Sequence, residues 1–238
     1  MVRRIVGLGG GGFSKDPFDP VERLLDDFVL GFARRKRPRI CFVSTASGDA
    51  DSYALNFYRA FADRAVPSDL SLFGRPRADD LREFVLSQDI VYVGGGNTLN
   101  MLSVWRPHGL DAILREAWEA GVVLAGISAG LICWFAEAAT DAFGNDHLSA
   151  ATGLGLLAGS ACAHYSNVPY RRPEFGRLIG EGMAPGIGVD DHVALVYRDT
   201  SLEDVVTTDA AAAAYRVSLG PDGIREERLE GRILVRPS

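Results

Sequence analysis

Short apolar runs alternate with helix-period segments through the first two-thirds of this 238-residue chain, and that alternation restricts what it can fold into. The runs Arg4–Leu8, Ile40–Ser44, Leu70–Phe73, Ile90–Val93 and Val122–Ile127 are bounded by Gly, Pro or polar turns. Strands buried on both faces read this way. Between them, Pro20–Arg35, Tyr53–Ala62, Ala78–Ser87, Thr98–Trp105 and Gly109–Ala120 read as helices. In the first of these, Val21, Leu24, Leu25, Phe28, Val29 and Phe32 recur at helical spacing behind Pro20, a residue suited to a helix start. The pattern predicts an α/β fold: a three-layer sandwich with a mostly parallel central sheet and helices on both sides.

The last third changes character. Gly186–Val189, Val193–Tyr197, Ala212–Val217 and Ile224–Leu229 are short β segments separated by Asp190-Asp191, Arg198-Asp199 and Gly220-Pro221-Asp222-Gly223. They are expected to extend the same sheet as antiparallel strands. No segment is rich enough in Pro, Gly or Ser to act as a linker, so residues 1–238 are expected to form a single domain.

The net charge of −6 argues against a nucleic-acid partner or an anionic membrane surface. No apolar run approaches the roughly 20 residues a membrane-spanning helix needs. Met1-Val2-Arg3-Arg4 leads straight into a strand pattern rather than a signal peptide, so a cytoplasmic protein is expected. Cys41, Cys133 and Cys162 are far apart in apolar contexts and read as buried free thiols. No CxxC or HExxH pattern suggests a metal site, and no cofactor is expected.

Chemistry concentrates at Gly126-Ile127-Ser128-Ala129-Gly130. An apolar run precedes it and Leu131–Ala136 follows, giving the strand–turn–helix order of a nucleophile elbow, G-x-S-x-G. The same five residues also fit a plain glycine-rich turn with a serine N-cap. A second glycine loop, Gly94-Gly95-Gly96-Asn97-Thr98, closes the preceding strand. It points backbone amides into the crevice where open α/β sheets bind ligands. The amides of Gly96 and Ala129 are therefore candidate oxyanion donors beside Ser128, with Gly95 and Asn97 as candidate substrate contacts. The cluster Gly7–Gly12 matches G-x-G-x-x-G, but Pro17 and Pro20 delay the helix that a dinucleotide site needs. Positive φ or close backbone approach accounts better for it.

A serine nucleophile needs a base. Of the four histidines, His164 ends the apolar segment Ser160-Ala161-Cys162-Ala163, as a short strand delivering an imidazole would. The orienting carboxylate is open among Glu137, Asp141 and Asp146, with Asp190 and Asp191 later in the chain. The elbow helix is expected to fade by Ala139, so a carboxylate just beyond it is placed to fold back; Asp141 is favoured, then Glu137.

Together, Gly94–Thr98, Gly126–Gly130 and Ala163-His164-Tyr165 resemble the S51 serine peptidases, the family of peptidase E-type α-aspartyl dipeptidases and cyanophycinases. The resemblance spans Ile5 to about Asp191. It implies a class I glutamine amidotransferase-like, flavodoxin-like fold with Ser128 as nucleophile, His164 as base, and Gly96 with Ala129 as oxyanion donors. It also implies an acidic residue after the nucleophile, mapping best onto Asp141. The implied activity is hydrolysis of short peptides, most simply dipeptides with N-terminal aspartate, through an acyl-enzyme. Arg171 and Arg172 are then candidates to meet the substrate carboxylate. The elbow helix Ile132-Cys133-Trp134-Phe135 and the segment Asn167-Val168-Pro169-Tyr170 depart from the enteric peptidase E pattern. An S51-type carboxypeptidase and a cyanophycinase-like hydrolase stand as alternatives, and a non-catalytic small-molecule binder as one of another class. The expected partner is a short peptide, and the expected state a monomer or homodimer.

Overall fold

The computed structural model describes residues 2–74, 79–144 and 146–235. Its elements, in chain order, are β1 (Arg4–Leu8), α1 (Glu22–Leu30), β2 (Arg39–Val43), α2 (Asp51–Phe61), β3 (Val66–Leu70), α3 (Leu81–Leu86), β4 (Ile90–Val93), α4 (Thr98–His108), α5 (Leu110–Glu119) and β5 (Val123–Ile127). There follow α6 (Ala129–Ile132), β6 (Phe135–Thr140), β7 (Ser149–Thr152), β8 (Leu157–Ala163), α7 (Arg171–Gly180), β9 (Gly186–Val189), β10 (Val193–Arg198), β11 (Ser201–Thr207), β12 (Ala214–Gly220), β13 (Gly223–Leu229) and β14 (Arg232–Ile233). The fold is α/β, as the alternation predicts. Ala78, the first residue of the predicted third helix, lies outside the described residues.

The main sheet runs β14-β11-β10-β1-β5-β4-β2-β3, and its strands from β1 to β3 are mutually parallel. Alternation along these strands builds two cores. Ile5, Cys41, Val43, Val91, Val93 and Leu124 face α3 to α6. Val6, Leu8, Ile40, Phe42, Ile90, Tyr92 and Ala125 face α1 and α2. The period-2 direction of side chains puts each set on its own face.

The C-terminal third departs from the expectation of one extended sheet. β10 and β11 do extend the main sheet antiparallel. β9, β12 and β13 instead join β6 to β8 in a second sheet, ordered β13-β12-β9-β8-β6-β7. The elbow helix is the reason: it lasts one turn, and the chain leaves it directly as β6. That seeds a new sheet, whose other side is covered by Phe175, Leu178 and Ile179 of α7.

The glycine loop after β1 is anchored by Phe13, which is fully buried. Its ring lies 5.4 Å from Phe42 and 5.3 Å from Tyr92. Burying such a side chain contributes about 2–3 kcal/mol, enough to hold an otherwise glycine-rich segment on the sheet. Beneath it, on α1, Asp26 is completely buried, and burial pushes its carboxyl up to about 8 against the weaker pull of Arg64 and the Phe13 amide. Between the ordinary carboxylate range and that value the folded chain holds a proton the unfolded chain has released. Stability should therefore fall as pH rises through that window, by at most about 1.4 kcal/mol per pH unit. Asp26→Asn is expected to remove this slope, which urea titrations at pH 5, 6 and 7 would measure.

Candidate active site

The carboxyl ends of β1, β4 and β5 in the main sheet meet those of β8 and β9 in the second, and Ser128, His164, Asp141, Arg171 and the loop Gly95–Asn97 gather there, whereas Glu137 and Arg172 do not. Ser128 stands at the turn between β5 and α6 with φ 56° and ψ −112°. Such a conformation costs a residue with a Cβ about 1–3 kcal/mol. The surrounding ladder fixes it: the Ser128 amide donates to Leu8 (3.0 Å), while its carbonyl accepts from Leu131 (2.9 Å) and Ile132 (3.1 Å). The turn closes only because its flanks lack side chains. A Cβ on Gly126 would lie 2.2 Å from the Gly130 oxygen, and one on Gly130 2.2 Å from the Val93 oxygen. Gly126→Ala is thus expected to destabilise the protein by about 1–3 kcal/mol or more, read as a drop in the urea midpoint.

His164 joins the two sheets. Its Nε2 is 2.9 Å from Ser128 Oγ and its Nδ1 is 2.5 Å from Asp191 Oδ1. With Nδ1–H donating to the carboxylate, Nε2 is left to accept the serine proton. The three side chains are part-buried, the imidazole 27% and the carboxylate 28% exposed. Burial by itself raises the Asp191 carboxyl, but the hydrogen bond and charge of His164, joined by His192 and Lys15, bring it below the usual carboxylate range. The Asn167 side-chain oxygen accepts from the Asp191 amide at 2.7 Å.

The carboxylate facing His164 is therefore Asp191, not Asp141 or Glu137. Asp141 stands across the site, bonded to Arg171 and to the Tyr170 hydroxyl (3.1 Å). Glu137 lies within β6, where its Oε2 accepts from the Ala184 amide at 2.6 Å. β6 pairs in parallel with β8, Ala138 opposite Ala161, so Asp141 leaves β6 at the same end as His164, but Arg171 and the Tyr170 hydroxyl take its carboxylate. β8 and β9 pair in parallel, Ala163 opposite Val189. The residues that follow the two strands, His164 and Asp190-Asp191, consequently emerge side by side. Asp190 turns inward and accepts from the amides of Ser166 (2.8 Å) and Ala213 (3.1 Å), leaving Asp191 for the imidazole. Two strands ending in polar residues was the available signal, but their adjacency was not readable before the second sheet was known.

The glycine run 7–12 packs against this cluster. A Cβ on Gly10 would sit 2.0 Å from Asp191 Oδ1 and 2.9 Å from His164 Cε1. Close approach, rather than a nucleotide, accounts for that glycine.

The second glycine loop also reaches the site. A Cβ on Gly95 would lie 3.6 Å from Ser128 Oγ, and the Gly95 amide donates to the Tyr53 hydroxyl at 3.3 Å. The amides of Gly96 and Ala129 have no hydrogen-bond partner among the described residues. Asn97 caps α4 by accepting from Asn100 (2.9 Å) and donates to the Ala142 carbonyl (3.0 Å). Both of its polar atoms are thus committed to holding loops.

A cavity of about 550 Å³ opens at Ser128, lined by Gly96, Asn97, Asp141, Ala142, Phe143, Gly144 and Arg171. Arg171 is buried; it bonds Asp141 and donates to the Ala163 carbonyl (3.2 Å), while its Nε has no partner among the described residues. Arg172, one residue on along α7, points the other way. It pairs with Glu226 and lies over the rings of Tyr165 and Tyr215, so the pair of arginines does not act as one fork. Among the described residues no cluster of three His, Cys, Asp or Glu side chains is placed to hold a metal ion, and no helix is long and apolar enough to cross a membrane.

The sequence profile of peptidase family S51 matches residues 5–205. The chain belongs to peptidase family S51. It is 46% identical over 227 residues to the uncharacterized peptidase YgaJ of Bacillus subtilis, covering 94% of this chain and 96% of that one. It is 33% identical over 104 residues to a peptidase E of Streptomyces coelicolor, covering 44% and 41% of the two chains. In fold it is similar to a peptidase from an acI-B1 Actinobacterium, with a TM-score of 0.69 at 19% identity, over 97% of this chain and 95% of that one. A peptidase E-type protein of Listeria monocytogenes aligns with a TM-score of 0.59 at 17% identity, over 97% and 100%. The S51 member described here is a peptidase, hence a hydrolase, with the fold of peptidase E-type proteins.

Proposed function

We propose that this S51 peptidase is of the serine type and hydrolyses short peptides, foremost dipeptides beginning with aspartate, through a Ser128–His164–Asp191 triad. The observation that carries this reading is the imidazole of His164 within hydrogen-bond reach of both Ser128 Oγ and Asp191. His164 Nε2 takes the hydroxyl proton as Oγ attacks the scissile carbonyl carbon. Asp191 holds the Nδ1 proton and steadies the imidazolium. The amides of Gly96 and Ala129 receive the oxyanion. His164 then hands its proton to the departing amine, leaving an acyl-enzyme. It next draws a proton from the water that attacks this ester, freeing Ser128.

Asp141 and Arg171 give this pocket both signs of charge. An N-terminal aspartate carries an ammonium and a β-carboxylate, and the two fit Asp141 and Arg171 respectively. The cavity volume suits a substrate of a few residues rather than a folded chain.

A peptide-library digest followed by mass spectrometry tests this. Cleavage after an N-terminal aspartate in the shortest peptides is the expected result. Stepwise loss of C-terminal residues would redirect the proposal to a carboxypeptidase, and turnover of β-aspartyl-arginine alone to a cyanophycinase-like hydrolase. No turnover, with Ser128 inert to a fluorophosphonate probe, would leave a binding protein.

A further inference from the structure

Next to Asp191, and outside the lining of the substrate cavity, lies a second set of charges. Glu22, the first residue of α1, is 4% exposed. Its Oε2 accepts from the Gly12 amide at 2.8 Å and lies 3.5 Å from His192 Nδ1. Its Oε1 is 3.1 Å from Lys15 Nζ, which in turn is 3.1 Å from His192 Nε2. A carboxylate this buried is costly unless its lone pairs are filled. Here every group filling them comes from the loop after β1 or from the turn after Asp191.

These two segments form the back wall of the triad. His192 follows Asp191 directly, at φ 67°, and its amide donates to the Gly10 carbonyl at 3.0 Å. Gly10 packs against the Asp191 carboxylate and the His164 ring. Asp191 itself feels the charges of both His192 and Lys15. The loop contributes no large side chain at Gly9–Gly12, so its position over Asp191 depends on Phe13 at one end, on the Gly9 amide donating to the Val193 carbonyl (3.0 Å) at the other, and on these polar ties.

We propose that Glu22 is a positioning residue for the triad, clamping the glycine loop and His192 so that Asp191 stays seated on His164 Nδ1. The role rests on the serine-peptidase reading above. It differs from a plain helix-start ion pair in what it predicts. A helix-start pair would affect stability alone. A clamp affects the His164–Asp191 hydrogen bond and the rate of acylation, with substrate binding left nearly intact because Glu22 bonds neither Arg171 nor Asp141 and does not line the substrate cavity. The amide tie to Gly12 needs only an acceptor oxygen, whereas the ties to Lys15 and His192 need charge. Glu22→Gln should therefore rescue part of what Glu22→Ala loses.

The test compares wild type, E22A, E22Q and S128A. Acylation by a fluorophosphonate is followed by intact mass, and the low-field proton of the His164–Asp191 hydrogen bond by NMR. E22A is expected to slow acylation about ten-fold and to lose or broaden that resonance. E22Q is expected to lose about three-fold, and it carries the test should E22A not fold. Where a peptide substrate is turned over, kcat falls while KM stays within about two-fold. Unchanged acylation and an unchanged resonance, with only the melting temperature lowered, would overturn the clamp. Labelling of S128A at the wild-type rate would remove the serine reading itself, and the clamp with it.

Discussion

Ser128→Ala is expected to lower kcat/KM on the preferred peptide by at least about a thousand-fold, with the fold intact. The hydroxyl is the only group lost, and the His164 side chain it bonds is part-exposed, so water can replace it. Alanine carries the same Cβ into the same positive-φ turn, so the strain at this position is unchanged. The melting temperature should stay within about 2 °C of wild type. Ser128→Gly would be equally inactive yet more stable, because glycine relieves the φ of 56°. A gain of about 1 kcal/mol in a urea titration would show that the elbow stores strain for the sake of presenting its hydroxyl. His164→Ala is expected to match Ser128→Ala in activity. The double variant should be little worse than either, since the two groups act as a unit. Full additivity in that cycle would mean that the hydroxyl and the imidazole do not work on the same step.

How much of this was legible in the sequence follows from what each segment's neighbours are. β4, β5 and the elbow are local: apolar runs, then small residues, then a helix start. Their reading needs no knowledge of anything distant, and Ser128 stands at the predicted turn. His164 was legible as the end of an apolar strand. Asp191 was not, because its place beside His164 depends on β8 and β9 pairing across 26 residues, Ala163 with Val189. The expectation that the elbow helix would run on to Ala139 made Asp141 look like the returning carboxylate. The helix ends at Ile132, about two turns short of Ala139, and the six-residue strand β6 takes its place, leaving Asp141 where Arg171 and Tyr170 hold it. The second sheet was hidden for the same reason. Gly186–Val189 reads as a strand in any case, but nothing in four residues says which sheet it joins. Glu22 reads as an ordinary acidic residue near a helix start, and its burial is visible only once the glycine loop is folded over it.

The two carboxylates facing this site are expected to fail in different ways when neutralised. Asp191→Asn keeps the shape but offers an amide to His164 Nδ1 in place of an acceptor. The imidazole then turns its remaining proton toward Ser128, and Nε2 can no longer take the hydroxyl proton. A loss of about a thousand- to ten-thousand-fold in kcat is expected, with KM little changed. Asp141→Asn leaves that relay alone, because Asp141 bonds Arg171 and Tyr170 and not His164. Its effect should fall on substrate binding: KM for an aspartyl dipeptide rises about ten-fold as the ammonium loses its counter-charge, while kcat changes by less than about three-fold. The melting temperature should drop as well, since the buried Arg171 guanidinium is left without its carboxylate. Steady-state kinetics on one substrate with both variants separates the roles. The reverse outcome, kcat lost in Asp141→Asn and kept in Asp191→Asn, would require Asp141 to leave Arg171 and swing to the imidazole during turnover. A short hydrogen bond from Nδ1 to Asp191 already in place, and a guanidinium already holding Asp141, both oppose that movement.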